Sequence, residues 1–144
     1  MELELREILD EQTCQKEVDE RRAQLQKAID DGIEGQELRV IKSYEEGAVA
    51  NMKYCAKLRE SGLKSLHLPI TFIKLDDLNF VSVPGELFSK LIKRDDIIYI
   101  CYANGYYRYI PDLSAFEKRY YEALGSLIKP GQGEFLINYI EGEI

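Results

Sequence analysis

A carboxylate and a phenol, each placed after a predicted strand, are the side chains best suited to chemistry. Glu86 follows the turn Pro84–Gly85, directly after the strand LNFVSV. Tyr109 follows a second apolar strand and the turn Asn104–Gly105. Carboxylate oxygen is an accepted zinc ligand, and a phenol becomes one beside a cation that favours its ionised form. Both residues follow strands expected to lie side by side, where αβ sheets place ligands.

The other titratable residues do not complete a metal site. Zinc sites use three or four protein ligands, usually with histidine, and the chain has one histidine, His67. Its three cysteines are widely spaced, and no pair has the Cys-x-x-Cys spacing of a zinc ribbon or a thioredoxin-type site. A single histidine also leaves no credible Ser-His-Asp or Cys-His arrangement. The sequence therefore predicts an incomplete site, with His67 in a structural or exposed position.

Composition indicates one soluble domain covering residues 1–144. The chain is 45% hydrophobic and 31% charged, which is ordinary for a globular protein. A net charge of −7 argues against non-specific nucleic-acid binding. No apolar run approaches the roughly 20 residues of a membrane span, and the acidic start MELELREILDEQ is not a signal peptide. We therefore expect a cytoplasmic chain or an internal piece of a longer protein, and the cysteine usage is compatible with the cytoplasm.

Residues 1–62 predict an antiparallel helical hairpin. Apolar residues recur at helical spacing from Leu5 to Ile29, separated mostly by good helix formers. The segment DDGIEG is a turn in which Gly32 supplies a left-handed cap. A second amphipathic helix is expected from about Gln36 to Ser61.

Residues 63–144 predict a sheet with short helices. The segments LHLPITFIKL and LNFVSV predict a β-hairpin turning at Asp76–Asp77, with Pro69 marking an edge or a strand start. We expect a short amphipathic helix at Glu86–Lys93. The apolar run Ile97–Tyr102 predicts a central strand buried on both faces and parallel to the strand before that helix.

The remaining segments predict an extended stretch and two further helices. Residues 106–110 are expected to be extended, followed by a helix capped near Asp112 or Ser114 and a closing helix at Glu134–Ile140. The predicted fold class is α+β (mixed αβ). An N-terminal antiparallel helical hairpin would pack on a small mixed sheet of three to four strands with short helices.

Three motifs in order resemble the carboxyl-terminal part of the catalytic region of neutral/alkaline (non-lysosomal) ceramidases and their bacterial relatives. The motifs are LPITFIKLDDLNFVSVPGELFSK, IYICYANGYYRYIPDLSAFEKRYYEA and KPGQGE. In that family a strand ends in Pro-Gly-Glu, and a later strand ends in Asn-(Gly or Val)-Tyr-x-x-Tyr-Ile. A Tyr-Glu pair follows about a dozen residues further on. The match covers about half of the chain, from Leu66 to Tyr139.

The resemblance implies a zinc amidohydrolase that cleaves the amide C–N bond of N-acylsphingosines in the complete protein. Carried over by motif, Glu86 and Tyr109 are metal ligands, and histidines come from an amino-terminal portion absent here. Metal-bound water would attack the amide carbonyl. By the same resemblance Asn104, Tyr106 and the Tyr121–Glu122 pair are possible pocket residues. The chain is then a fragment or a shortened relative, inactive alone and binding no zinc by itself.

Several residues have ordinary structural explanations beside these functional ones. Glu86 suits a first helical turn, and Tyr109 can be a strand aromatic packed on the sheet. Tyr121 and Glu122 suit a helix surface. A second function class also stays open: a non-catalytic αβ interaction module that uses the acidic hairpin to bind another chain. An apolar surface left without a partner would favour a homo-oligomer.

Overall fold

The structure, a computed structural model, describes all residues from Met1 to Ile144. It is a mixed α+β chain of five α-helices and seven short strands, and it confirms the predicted fold class. The chain forms two compact units. The first contains Met1–Arg6, Lys64–Lys118 and Ser126–Ile144, and the second contains Glu7–Leu63 and Arg119–Gly125. The single-domain assignment of residues 1–144 stays a prediction.

The second unit contains the predicted helical hairpin. Helix α1 spans Glu11–Asp30 and helix α2 spans Gly35–Ser61. The Asp10 carboxylate accepts a hydrogen bond from the Thr13 backbone N–H at 2.8 Å, which caps the start of α1. Gly62, with a φ of 64°, ends α2 in the left-handed conformation. Local capping and periodicity therefore determine both helices.

The start of the chain is not helical, contrary to the expectation from the helical spacing after Leu5. Strand β1 (Glu2–Glu4) pairs antiparallel with β2 (Ser65–His67), placing Leu3 opposite Leu66. Leu3 is fully buried. The sequence ELEL alternates with period two, which suits a strand buried on one face. The long-range pairing with β2 thus prevails over the local helical pattern, and the helix starts only after Asp10.

A three-stranded sheet forms the middle of the first unit, in the order β3–β4–β6. Strands β3 (Thr71–Leu75) and β4 (Leu78–Val83) form the predicted antiparallel hairpin around Asp76–Asp77. Strand β6 (Ile97–Cys101) pairs parallel with β4, as expected. The apolar run before this hairpin is not one strand, because Leu68, Pro69 and Ile70 separate β2 from β3. Proline lacks the N–H that a continuous ladder requires.

Two further expectations for this unit are wrong. The segment Glu86–Lys93 is not an amphipathic helix but strand β5 (Glu86–Leu87) followed by a 3₁₀ turn, Ser89–Leu91. Strand β5 pairs parallel with β7 (Tyr109–Ile110), and this tertiary pairing overrides the helical pattern. Strand β6 is an edge strand, with Ile98 and Ile100 exposed by 42% and 44%, rather than a central strand buried on both faces.

The C-terminal segments agree with the prediction. Helix α3 (Leu113–Glu117) is capped by Asp112, and helix α5 (Gln132–Glu143) closes the chain. A short helix α4 (Tyr121–Leu124) belongs to the second unit. The core of the first unit is aliphatic and includes Leu3, Val81, Val83, Ile110, Ile128, Leu136 and Ile140. None of the helices combines the length and apolar character needed to cross a bilayer.

Candidate functional site

The pairing of β5 with β7 places Glu86 beside Tyr109. The two residues are register partners in this parallel ladder. The Glu86 N–H donates to the Arg108 carbonyl at 2.7 Å, and the Tyr107 N–H donates to the Pro84 carbonyl at 2.7 Å. In a parallel ladder, side chains of partner residues point to the same side. The structure therefore brings the predicted carboxylate and the predicted phenol to neighbouring positions.

Ser126 fixes strand β7 from the side away from β5. Its hydroxyl is fully buried and donates to the Tyr109 carbonyl at 2.8 Å. The following residue of β7, Ile110, is 1% exposed and belongs to the aliphatic core. Tyr109 is thus anchored through its backbone, and its side chain is half-buried on the site.

Two more phenols surround the Glu86 carboxylate. The Tyr106 hydroxyl donates to Glu86 Oε1 at 2.8 Å. The rings of Tyr102 and Tyr106 stack, with centroids 5.6 Å apart and planes 7° from parallel. The hydrogen bond to Glu86 raises the pKa of Tyr106 to about 12 and also raises the pKa of Tyr102, and the charges of Glu86 and Tyr109 add to both effects. The Tyr106 phenol is consequently a neutral donor at neutral pH.

The loop that carries these phenols holds three non-glycine residues in an energetically unfavourable backbone conformation. Tyr102, Asn104 and Arg108 have φ values of 60°, 63° and 68°, in the left-handed region that non-glycine residues rarely adopt. Each such residue costs on the order of 1 kcal/mol, although asparagine tolerates the conformation better than most. Residues of this kind cluster at binding and catalytic sites, where surrounding structure imposes them.

The other predicted pocket residues have different partners. The Asn104 amide nitrogen donates to the Thr71 hydroxyl at 3.0 Å and to the Ser82 hydroxyl at 3.1 Å. It therefore ties the loop to the sheet. Tyr121 and Glu122 belong to the second unit, where they line a pocket of about 540 Å³ along α2.

Sequence reasoning did not select Tyr102 as a site residue. It lies just after β6, within the apolar run Ile97–Tyr102, yet it is 58% exposed and its ring stacks on Tyr106. Its left-handed backbone turns the chain out of the strand. The available signal was the pair Tyr102 and Tyr106 on either side of the Asn-Gly turn, since that turn folds the two rings towards each other.

The donor set fits part of a zinc site. Glu86 and Tyr109 offer two oxygen ligands, and carboxylate is a normal zinc ligand. The structure has no cluster of three or more histidine, cysteine, aspartate or glutamate side chains that could hold a metal. His67 is exposed and lies 3.7 Å from the Glu2 carboxylate.

No family model matches the chain, and searches of curated proteins and of solved structures found no match. The ceramidase resemblance and the metal-ligand roles of Glu86 and Tyr109 therefore stay predictions.

Proposed function

We propose that this chain is the carboxyl-terminal part of a ceramidase-like zinc amidohydrolase, in which it supplies Glu86 and Tyr109 to the metal site. The complete protein would hydrolyse the amide bond of N-acylsphingosines. An amino-terminal portion would supply the histidine ligands, and this chain alone would be inactive. The observation that carries the proposal is the parallel register of β5 and β7, which sets Glu86 opposite Tyr109.

The residues around the carboxylate orient it for a ligand. The Tyr106 hydroxyl donates a hydrogen bond to Glu86 Oε1 at 2.8 Å, and the Tyr102 ring stacks on Tyr106. Hydrogen bonds of this kind fix the orientation of a metal-binding carboxylate and are part of most metal sites. A zinc ion at such a site lowers the pKa of a water molecule and polarises a carbonyl.

The test is reconstitution with the missing portion. The chain is produced together with the histidine-bearing polypeptide that the proposal expects to be encoded upstream of Met1. Hydrolysis of a fluorescent N-acylsphingosine and bound zinc are then measured. We expect Glu86→Gln and Tyr109→Phe to lower kcat/KM by more than about 100-fold, since even supporting residues of metal sites cost 10–100-fold. Zinc content should fall in parallel.

The matched control is Tyr139→Phe, which removes a phenol hydroxyl from α5 of the same unit. Tyr139 packs edge-on against Phe72, with ring centroids 6.3 Å apart, and its ring remains after the substitution. This variant should keep both activity and zinc. Three results contradict the proposal: full activity in both site variants, no histidine-bearing polypeptide upstream, or tight stoichiometric zinc binding by this chain alone.

A further inference from the structure

The second unit holds a pocket of about 540 Å³ between one face of α2 and the start of α4. Cavities that bind small ligands measure about 300–1,000 Å³. The two helices meet closely at Gly47, where a Cβ would lie 3.1 Å from Leu124 Cδ1 and 3.5 Å from Tyr121 Cδ2. The aromatic and charged lining residues, which define what we call the tyrosine pocket, are Arg39, Tyr44, Glu46, Tyr120, Tyr121 and Glu122.

Three tyrosine rings contribute to this lining. The face of an aromatic ring is electronegative and attracts a cation within about 6 Å of its centroid. The structure already contains one such contact, because the Arg21 guanidinium lies 5.4 Å from the centroid of the Tyr44 ring. Arg21 is not among the lining residues, so it does not occupy the pocket. Tyr120 and Tyr121 are 40% and 36% exposed, which leaves ring surface accessible to a ligand.

The charged groups of the lining leave one carboxylate without a counter-charge. Arg39 Nη1 lies 2.9 Å from Glu46 Oε2, so these two charges neutralise each other. The Glu122 carboxylate has no ion-pair or hydrogen-bond partner in the structure. One positive and two negative side chains give the tyrosine pocket a net charge of −1.

The basic residues of the neighbouring segments do not cancel this charge. Arg22 Nε lies 3.1 Å from Glu45 Oε1. Arg119, which precedes α4, is paired with Glu17. Lys42 is exposed on α2 and is not among the lining residues. The electrostatic preference of the pocket is therefore for a cation.

The lining also selects among classes of ligand. An anion would meet the Glu122 carboxylate and the electronegative faces of the rings. A neutral ligand would cover Glu122 without supplying a counter-charge, and burying an unpaired carboxylate is costly. A primary ammonium carries three N–H donors that each need an acceptor. A quaternary ammonium has no such donor, and aromatic residues recognise it through its methyl groups.

We propose that the tyrosine pocket binds a small quaternary ammonium compound of the choline type. The rings of Tyr120 and Tyr121 contact the methyl groups, and Glu122 balances the positive charge. Binding is a property of the second unit, which contains neither Glu86 nor Tyr109. The inference therefore does not depend on the proposed function, and either can fail without the other.

The experiment titrates the whole chain with choline and with its uncharged carbon isostere, dimethylbutanol. The two ligands share a shape and differ in charge, so their affinity ratio isolates the preference for a cation. Binding is followed by calorimetry and by the NMR signals of the tyrosine rings. We expect choline to bind at least about tenfold more tightly than the isostere, since cation–π contacts contribute a factor of this size. Vesicles of a choline phospholipid form a third arm, which separates a free ligand from a lipid headgroup.

Substitutions assign the binding to the lining residues. Tyr120→Leu and Tyr121→Leu each remove a ring and should weaken choline binding by about tenfold, whereas Tyr121→Phe keeps the ring and the affinity. Glu122→Gln should weaken binding by about threefold at low salt, an effect that added salt screens. The matched control is Tyr139→Leu on α5 of the other unit, where the tyrosine is 37% exposed. Thermal melts verify that each variant folds.

Three results overturn the inference: equal affinity for choline and its isostere, no binding at about 10 mM choline, or wild-type affinity in both leucine variants. Binding of the vesicles without binding of free choline assigns the pocket to a lipid surface and also overturns it. If a leucine variant does not fold, the affinity ratio of the two ligands for the wild-type chain still decides, because it needs no substitution.

Discussion

Gly85 determines how closely β5 approaches β7, so replacing it with alanine tests the geometry of the site. A Cβ at this position would lie 2.7 Å from the Arg108 carbonyl oxygen and 3.0 Å from Ile110 Cδ1. The Arg108 carbonyl cannot retreat freely, because it accepts the Glu86 N–H at 2.7 Å. Gly85→Ala must therefore push the two strands apart and move Glu86 away from Tyr109.

The loss of stability caused by Gly85→Ala can be worked out from the contacts that the new methyl group would make. Inserting a methyl group into a tightly packed position costs about 1–3 kcal/mol, and weakening the Glu86–Arg108 backbone hydrogen bond adds up to about 1 kcal/mol. We expect Gly85→Ala to lower the free energy of unfolding by about 2–3 kcal/mol. For a chain of this length that is a fall in Tm of roughly 5–10 °C.

Urea unfolding followed by far-ultraviolet circular dichroism measures this change in the free energy of unfolding. The matched control is Gly142→Ala near the end of α5, where a new Cβ meets nothing within 4 Å. That variant should be unchanged or slightly more stable, because alanine is the better helix former. If Gly85→Ala is as stable as Gly142→Ala, then β5 and β7 do not approach each other as closely as described. The geometry that places Glu86 beside Tyr109 would then also be wrong.

Two further predictions concern titrating groups. The hydrogen bond to Glu86 raises the pKa of Tyr106 to about 12, so its stabilising contribution is complete below about pH 10 and is lost as the pH rises to about 12. Glu86→Gln should return this pKa towards 10 in an NMR titration of the ring, and an unchanged pKa would refute the assigned bond. Burial raises the pKa of the Cys14 thiol to about 11, and Cys55 is equally buried. At about pH 8 a thiol reagent should label the half-buried Cys101 first, and equally rapid labelling of all three native thiols would contradict the packing of the hairpin.

Local sequence determined the hairpin and not the strands that carry the site. Helix α2 was predictable because its apolar periodicity, Gly35 start and Gly62 end are all local signals. Strand β5 was not, because ELFSKLIK has helical periodicity and becomes extended only by pairing with β7. Strand β1 likewise depends on β2, which lies across the whole hairpin in sequence. The partner with which a distant segment pairs cannot be read from a short window of residues.

In the candidate site too, some features were predictable from local sequence and others depended on the folded backbone. Glu86 and Tyr109 were selected from the turns that follow strands, and the structure sets them in register. Tyr102 was missed because its role depends on a left-handed φ of 60°, which a strand pattern does not predict. Asn104 was selected for the pocket, but its amide is directed to Thr71 and Ser82. Residue types identified the region, and backbone conformation decided which side chains reach the carboxylate.

The loop between β6 and β7 holds three non-glycine residues in left-handed conformations. Strand β6 ends at Cys101, and the core resumes at Ile110. Between them the chain places Tyr102, Asn104 and Arg108 in left-handed conformations, at on the order of 1 kcal/mol each. In this loop the Tyr106 hydroxyl donates to Glu86 and the Tyr102 ring stacks on Tyr106. Backbone strain held next to an oriented carboxylate is the arrangement expected where a ligand or partner, rather than folding alone, has shaped the structure.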